Sequence, residues 1–200
     1  MPNIQIFFMY STIHTLNIYF CENFIKQYKV MNQNENKTKD LKKKLFSGDI
    51  PLALDTIKDI RKNGTIDVIP LLLDLYILNQ QAIVKQAIQS CLFDLKTPQV
   101  APIIIDALSK KKYARIKSLL VEFMWQANID FSKYTDTIIP LIYKDSLDVA
   151  IEAMTVLETI ADSIPSEDAE IYKKQLSFAA EKKKSPHKDI IIQAIDILQG

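Results

Sequence analysis

Two hundred residues, 48% of them apolar, suffice for one domain with a continuous core, and one domain is the expected organisation. A formal charge of +1, from 25 basic and 24 acidic side chains, excludes binding to nucleic acid, anionic lipid or acidic substrates through bulk charge alone. Three glycines against eight prolines argue against tight hairpins and phosphate-cradling loops, and for helices joined by short turns.

Residues 1–30 are rich in Ile, Phe, Tyr and Asn, nearly free of acids, and keep neither a helical nor a strand period. No basic residue precedes their apolar part, and His14, Asn17 and Glu22 interrupt any bilayer-spanning run, which argues against a secretory signal or membrane anchor. Met31 opens a polar lead-in, MNQNENKTKDLKKKL, that runs directly into the first periodic segment. The segment 1–30 therefore reads as a non-native or disordered leader with the true start at Met31; an N-terminal helix packed on the domain is the competing reading. Residues 31–47 read as a polar lead-in and capping helix, and residues 48–200 as the main domain.

From Leu41 onward the apolar residues recur at i, i+3, i+4, i+7, the spacing that puts them on one helix face. The first set is Ala53, Thr56, Ile57 and Ile60, and the second is Val84, Ala87, Ile88 and Cys91. Ile116, Leu119, Leu120 and Phe123 form the third, and Ala150, Ala153, Met154 and Leu157 the fourth. The last is Ile191, Ala194, Ile195 and Leu198. Recurrence at intervals of 31, 32, 34 and 41 residues predicts a tandem helical repeat. Cys91 falls on a stripe, where a small thiol packs like a hydrophobe, and with Cys21 it forms no metal-spaced pair, so a reduced, cytoplasmic protein is expected.

A second element follows each of the first three stripes: DVIPLLLDLY around Pro70, QVAPIIIDAL around Pro102 and TIIPLIYKDS around Pro140. Proline is tolerated in the first helical turn, where its missing N–H has no intrahelical partner, so each of the three predicts a helix start. Asp67, Thr137 and either Thr97 or Gln99 are the expected N-terminal caps. Pro165 and Ser166 open the second helix of the fourth unit, and Pro186 begins an unpaired last helix.

These units resemble the HEAT-repeat family, whose members pair antiparallel helices and join units through an acidic turn followed by a Val/Ile-basic step. KDSLDVAIEAMTVLETI, from Lys144 to Ile160, matches the turn and stripe, and Val84-Lys85 and Ile116-Lys117 are similar to the step. Ile151 departs from it, and Asn79, Gln80 and Gln81 stand where the acidic turn is expected. The resemblance spans about Lys44 to Leu198 and implies an all-α fold, a right-handed α-α superhelix of about four to five helix pairs.

Little in the sequence points to catalysis. His14 lies in the leader, and His187 after Pro186 reads as a surface side chain at a helix start; no Cys/His/acid cluster has metal-ligand spacing, so neither enzyme nor cofactor is expected. Asp74 and Asp106 each stand four residues after a proline, and Lys144 holds that place after Pro140, which predicts a ladder of rungs along successive second helices. With Tyr76 and Tyr143 they form the candidate site for a protein or peptide partner. Trp125 reads as a packer between units and Phe123 as core.

Three lysine triplets, at 42–44, 110–112 and 182–184, read first as solvated helix ends. The densest cationic group, Lys110, Lys111, Lys112, Arg115 and Lys117, with Tyr113 as an aromatic contact, is the candidate if nucleic acid is bound, as in the DNA glycosylases that look like HEAT arrays. Without the leader's Lys26, Lys29 and Glu22 the chain is neutral, which makes nucleic acid the weaker alternative. A regulatory subunit for an enzyme encoded elsewhere is the other.

Overall fold

The computed structural model describes residues 36–64, 66–181 and 187–199; the leader, Cys21, the triplet at 182–184 and Pro186 lie outside them. Among the described residues every regular element is helical. The α-helices are α1 (36–45), α2 (Ile50–Asn63), α3 (Ile69–Leu78), α4 (Ala82–Phe93) and α5 (Ala101–Ser109). Then come α6 (Lys117–Gln126), α7 (Thr135–Lys144), α8 (Leu147–Ile160), α9 (Ser166–Ala180) and α10 (Lys188–Ile197).

The predicted stripes are buried faces. α2 buries Ala53, Thr56, Ile57 and Ile60, and α4 buries Val84, Ile88 and Cys91 with Ala87 half-buried. Burial pushes the Cys91 thiol up to about 11, so it stays protonated and packs as a small apolar group. The fourth and fifth stripes are buried in the same way, with Met154 and Ile195 at their margins. Among the described residues, one apolar cluster runs from Leu45 to Leu198.

The helices form two rows, the even-numbered one continuous and the odd-numbered one made of two pairs, α3 with α5 and α7 with α9. α2 contacts α4, α4 contacts α6, α6 contacts α8 and α8 contacts α10, while α3 contacts α5 and α7 contacts α9. Between the rows, each odd-numbered helix from α3 to α9 packs on the even-numbered helix that follows. α6 sits at the centre of its row and buries Leu119, Leu120, Val121, Phe123 and Met124. The Phe123 ring meets Phe131 edge-on at 6.5 Å, the arrangement that puts a ring's positive edge against a negative face.

Helix starts differ from the expectation. Pro70 and Pro102 do stand in the first turns of α3 and α5, but Pro140 lies inside α7, whose first residue is Thr135. A three-residue 3-10 turn leads into each of these helices: Ile66–Val68, Pro98–Val100 and Ser132–Tyr134. None of the expected caps binds a helix amide: α3, α5 and α7 have no side-chain cap, Thr137 is inside α7, and Thr97 hydrogen-bonds Gln99. The tighter turn takes up the first free amides instead. α2 is the exception, where Asp49 accepts from the Leu52 N–H at 3.0 Å after Gly48, whose φ of +82° favours glycine.

Burial sets the true register of the odd row. Ile69, Leu72 and Leu73 of α3 match Ala101, Ile104 and the half-buried Ile105 of α5, and Thr135, Ile138 and Ile139 of α7. The helix starts are then 32 and 34 residues apart, the same intervals as the stripes at 84, 116 and 150. Prolines at 70, 102 and 140 give 32 and 38, a mismatch already visible in the sequence.

Candidate interaction surface

The register changes the predicted ladder. Asp74 and Asp106 are matched positions on α3 and α5, but Pro140 occupies that place on α7; Lys144 lies one turn further on, level with Leu78 and Lys110. Lys144 instead sets its ammonium 5.3 Å from the ring centroid of its neighbour Tyr143, and Lys85 of α4 stands 5.3 Å from that of Tyr76. Both tyrosines are half-buried, so each offers a cation-covered ring and not an open aromatic face.

The two candidate groups meet at two ion pairs, Lys112 with Asp74 and Lys110 with Asp106. Lys112 Nζ stands 2.6 Å from Asp74 Oδ1, Lys110 pairs with Asp106 one turn back, and Lys117 Nζ stands 2.7 Å from Asp145 Oδ1. The Lys117–Asp145 pair is the more shielded from solvent; open pairs such as Lys110–Asp106 contribute only about 0–1 kcal/mol each. Lys111 and Arg115 are exposed.

Tyr113 is core and not the nucleic-acid contact that the sequence suggests. Its side chain is 2% exposed, and its hydroxyl donates to Asp74 Oδ1 at 2.8 Å. The six residues Lys111–Ile116 form a 3-10 helix, in which positions i and i+3 eclipse; Tyr113 and Ile116 therefore share the buried side while Lys111, Lys112 and Arg115 face out. The three-residue spacing was available in KKYARI. Burial raises the Tyr113 phenol, which stays a donor to Asp74, and the Asp74 hydrogen bond raises Lys112, which keeps its charge.

Longer-range polar joints had no sequence signal. Tyr172 of α9 donates to Asp136 Oδ1 of α7 at 2.9 Å, and burial, helped by that carboxylate, pushes its phenol up to about 12. Trp125 Nε1–H donates to Glu152 Oε2 at 2.7 Å, joining α6 to α8 as an inter-unit packer should. Glu122 lies beside these groups, and burial, with the Glu152 charge, raises its carboxyl above the usual range.

His187 is buried, at 9% exposure, and not a surface side chain. Its Nε2 lies 2.9 Å from the Asp145 carbonyl oxygen, which can only accept, so Nε2 carries the proton and Nδ1 is buried without a partner. Asp145 thus holds the start of α10 through its backbone and Lys117, at the start of α6, through its side chain.

No protein-family profile matches the chain, and neither a curated protein nor a solved structure matches it. Among the described residues, no helix is long and apolar enough to cross a membrane, and no cluster of three His, Cys, Asp or Glu side chains could hold a metal ion.

Proposed function

We infer that the chain is a HEAT-like right-handed α-α superhelix that works as a non-catalytic cytoplasmic scaffold, binding another protein or peptide along its odd-numbered helices. The observation that carries this reading is the matched register of α3, α5 and α7, which repeats one outward position on successive helices while the inward positions share a core. A face of this kind offers side chains at regular intervals to an extended or helical partner. Asp74, Tyr76, Asp106, Tyr143 and Lys144 are the proposed contacts.

The test is affinity capture from the native host followed by mass spectrometry, with wild type beside an Asp106→Ala, Tyr143→Ala, Lys144→Ala variant. A partner retained by wild type and lost by the variant is the expected result. A partner held equally by both moves the site off this face.

Nucleic acid is the weaker reading because Lys110, Lys112 and Lys117 already face carboxylates. Fluorescence anisotropy with labelled duplex DNA, single-stranded DNA and RNA should show nothing tighter than roughly 10⁻⁴ to 10⁻⁶ M at physiological salt. Nanomolar binding abolished by Lys111→Ala with Arg115→Ala would replace the protein-scaffold reading.

A further inference from the structure

α8 and α10 touch each other in the even-numbered row and repeat one surface at the same register. Burial fixes that register: Ala150 and Ala153 of α8, and Ile191 and Ala194 of α10, 41 residues further on, are all 0% exposed. On the outward side the same interval matches Asp148 with Asp189 and Ile151 with Ile192. The two isoleucines are 44% and 43% exposed, and Leu147, one turn before Ile151, is 53% exposed. Single apolar side chains on a surface are ordinary, but a matched pair on touching helices with a third one turn away makes a patch that a partner can cover.

Charge decides what that patch accepts. α8 and α10 hold five acids, Asp148, Glu152, Glu158, Asp189 and Asp196, against one base, Lys188. Among the described residues, none of these acids is in an ion pair. Asp148 and Asp189 lie in first turns, where the helix dipole favours an acid. Exposed Glu158 and Asp196 lie in last turns that contain no basic residue, where an acid opposes the dipole. Helix stability therefore explains the first pair of acids and not the second, whereas a cation brought to the last turns explains both.

We propose that the outward face of α8 and α10 docks a lysine- or arginine-rich amphipathic helix of another protein, its apolar side chains on Leu147, Ile151 and Ile192 and its cations against Glu158 and Asp196. Neighbouring packed helices stand roughly 8–10 Å apart, and two turns of a crossing helix rise about 11 Å, enough to carry apolar side chains from Ile151 to Ile192. The face belongs to the even-numbered helices, so it stands independently of the contacts proposed on the odd-numbered ones.

Fluorescence anisotropy tests this, with the full chain titrated at about 50 mM salt into a labelled lysine–leucine amphipathic helix of about four turns. Wild type should bind it with a dissociation constant of roughly 10⁻⁶ M, and should bind the same helix with glutamate in place of lysine at least about tenfold more weakly. Ile151→Gln with Ile192→Gln should raise the dissociation constant about tenfold. Glu158→Gln with Asp196→Asn should do the same, about tenfold, and leave the thermal melt unchanged or slightly higher, since each lost acid opposed a helix dipole. A role in the fold alone would move the melt and not the binding. Asp55→Asn with Asp59→Asn removes the same charge from exposed positions on α2 and should leave affinity within about twofold, because screening limits the reach of distant charges. A wild type that binds neither helix, or both equally, overturns the proposal. So does either pair of substitutions on the face that weakens binding no more than the α2 pair; should the isoleucine pair melt out, the Glu158 and Asp196 pair decides.

Discussion

Leu120→Asp is expected to abolish the cooperative helical melt. Leu120 is 1% exposed at the centre of α6, which packs on α4 and α8, so a carboxylate there has neither water nor a partner cation. A buried, unpaired polar or charged group costs several kcal/mol, against a total stability of about 5–15 kcal/mol for a domain of this kind. Ile88→Asp on α4, at 0% exposure, should act in the same way. Circular dichroism followed against temperature provides the measurement. A transition within a few degrees of wild type for either variant would mean that the row of even-numbered helices does not pack as described.

Tyr113→Ala should cost about 3–5 kcal/mol, the range for emptying a buried aromatic site, because the ring fills the space between the 3-10 segment and α3. Tyr113→Phe removes only the hydroxyl. Asp74 then keeps Lys112 at 2.6 Å as a partner, so the loss should be about 1 kcal/mol, the net value of one hydrogen bond. Urea denaturation of the two variants separates packing from hydrogen bonding. Near-wild-type stability for Tyr113→Ala would return Tyr113 to the surface, where the sequence had suggested an aromatic contact for nucleic acid.

The periodic stripes were legible in the sequence because helical amphipathicity is a local property: one face of 3.6-residue periodicity needs no knowledge of its partner. Ala53 to Ile60, Val84 to Cys91 and Leu119 to Phe123 could be marked as interior without a structure, and so could the repeat of helix pairs. Proline was a poorer guide. Its ring is tolerated in a first turn and, at a cost of about 3 kcal/mol or more, within a helix, so Pro140 alone could not say which applied. The 34-residue interval of the stripes could have, because helices that stack in rows must keep a common period.

The candidate site was legible only as a list of side chains. Composition supplied acids on the second helices and cations in the turn after α5, but not that Lys112 reaches back 38 residues to Asp74, or that Lys117 reaches forward 28 residues to Asp145. Such pairs depend on which turn of one unit lies over which helix of another, and local periodicity carries no information about that. His187 shows the same limit: a histidine beside a proline reads as a surface turn, and only the docking of α10 against the α7–α8 corner buries it. The sequence by itself determined the helices, their inward faces and their repetition, since these follow from backbone geometry and apolar spacing. Tertiary structure alone decided which charges are partnered and which tyrosines are core, since each depends on contacts between residues distant in the chain.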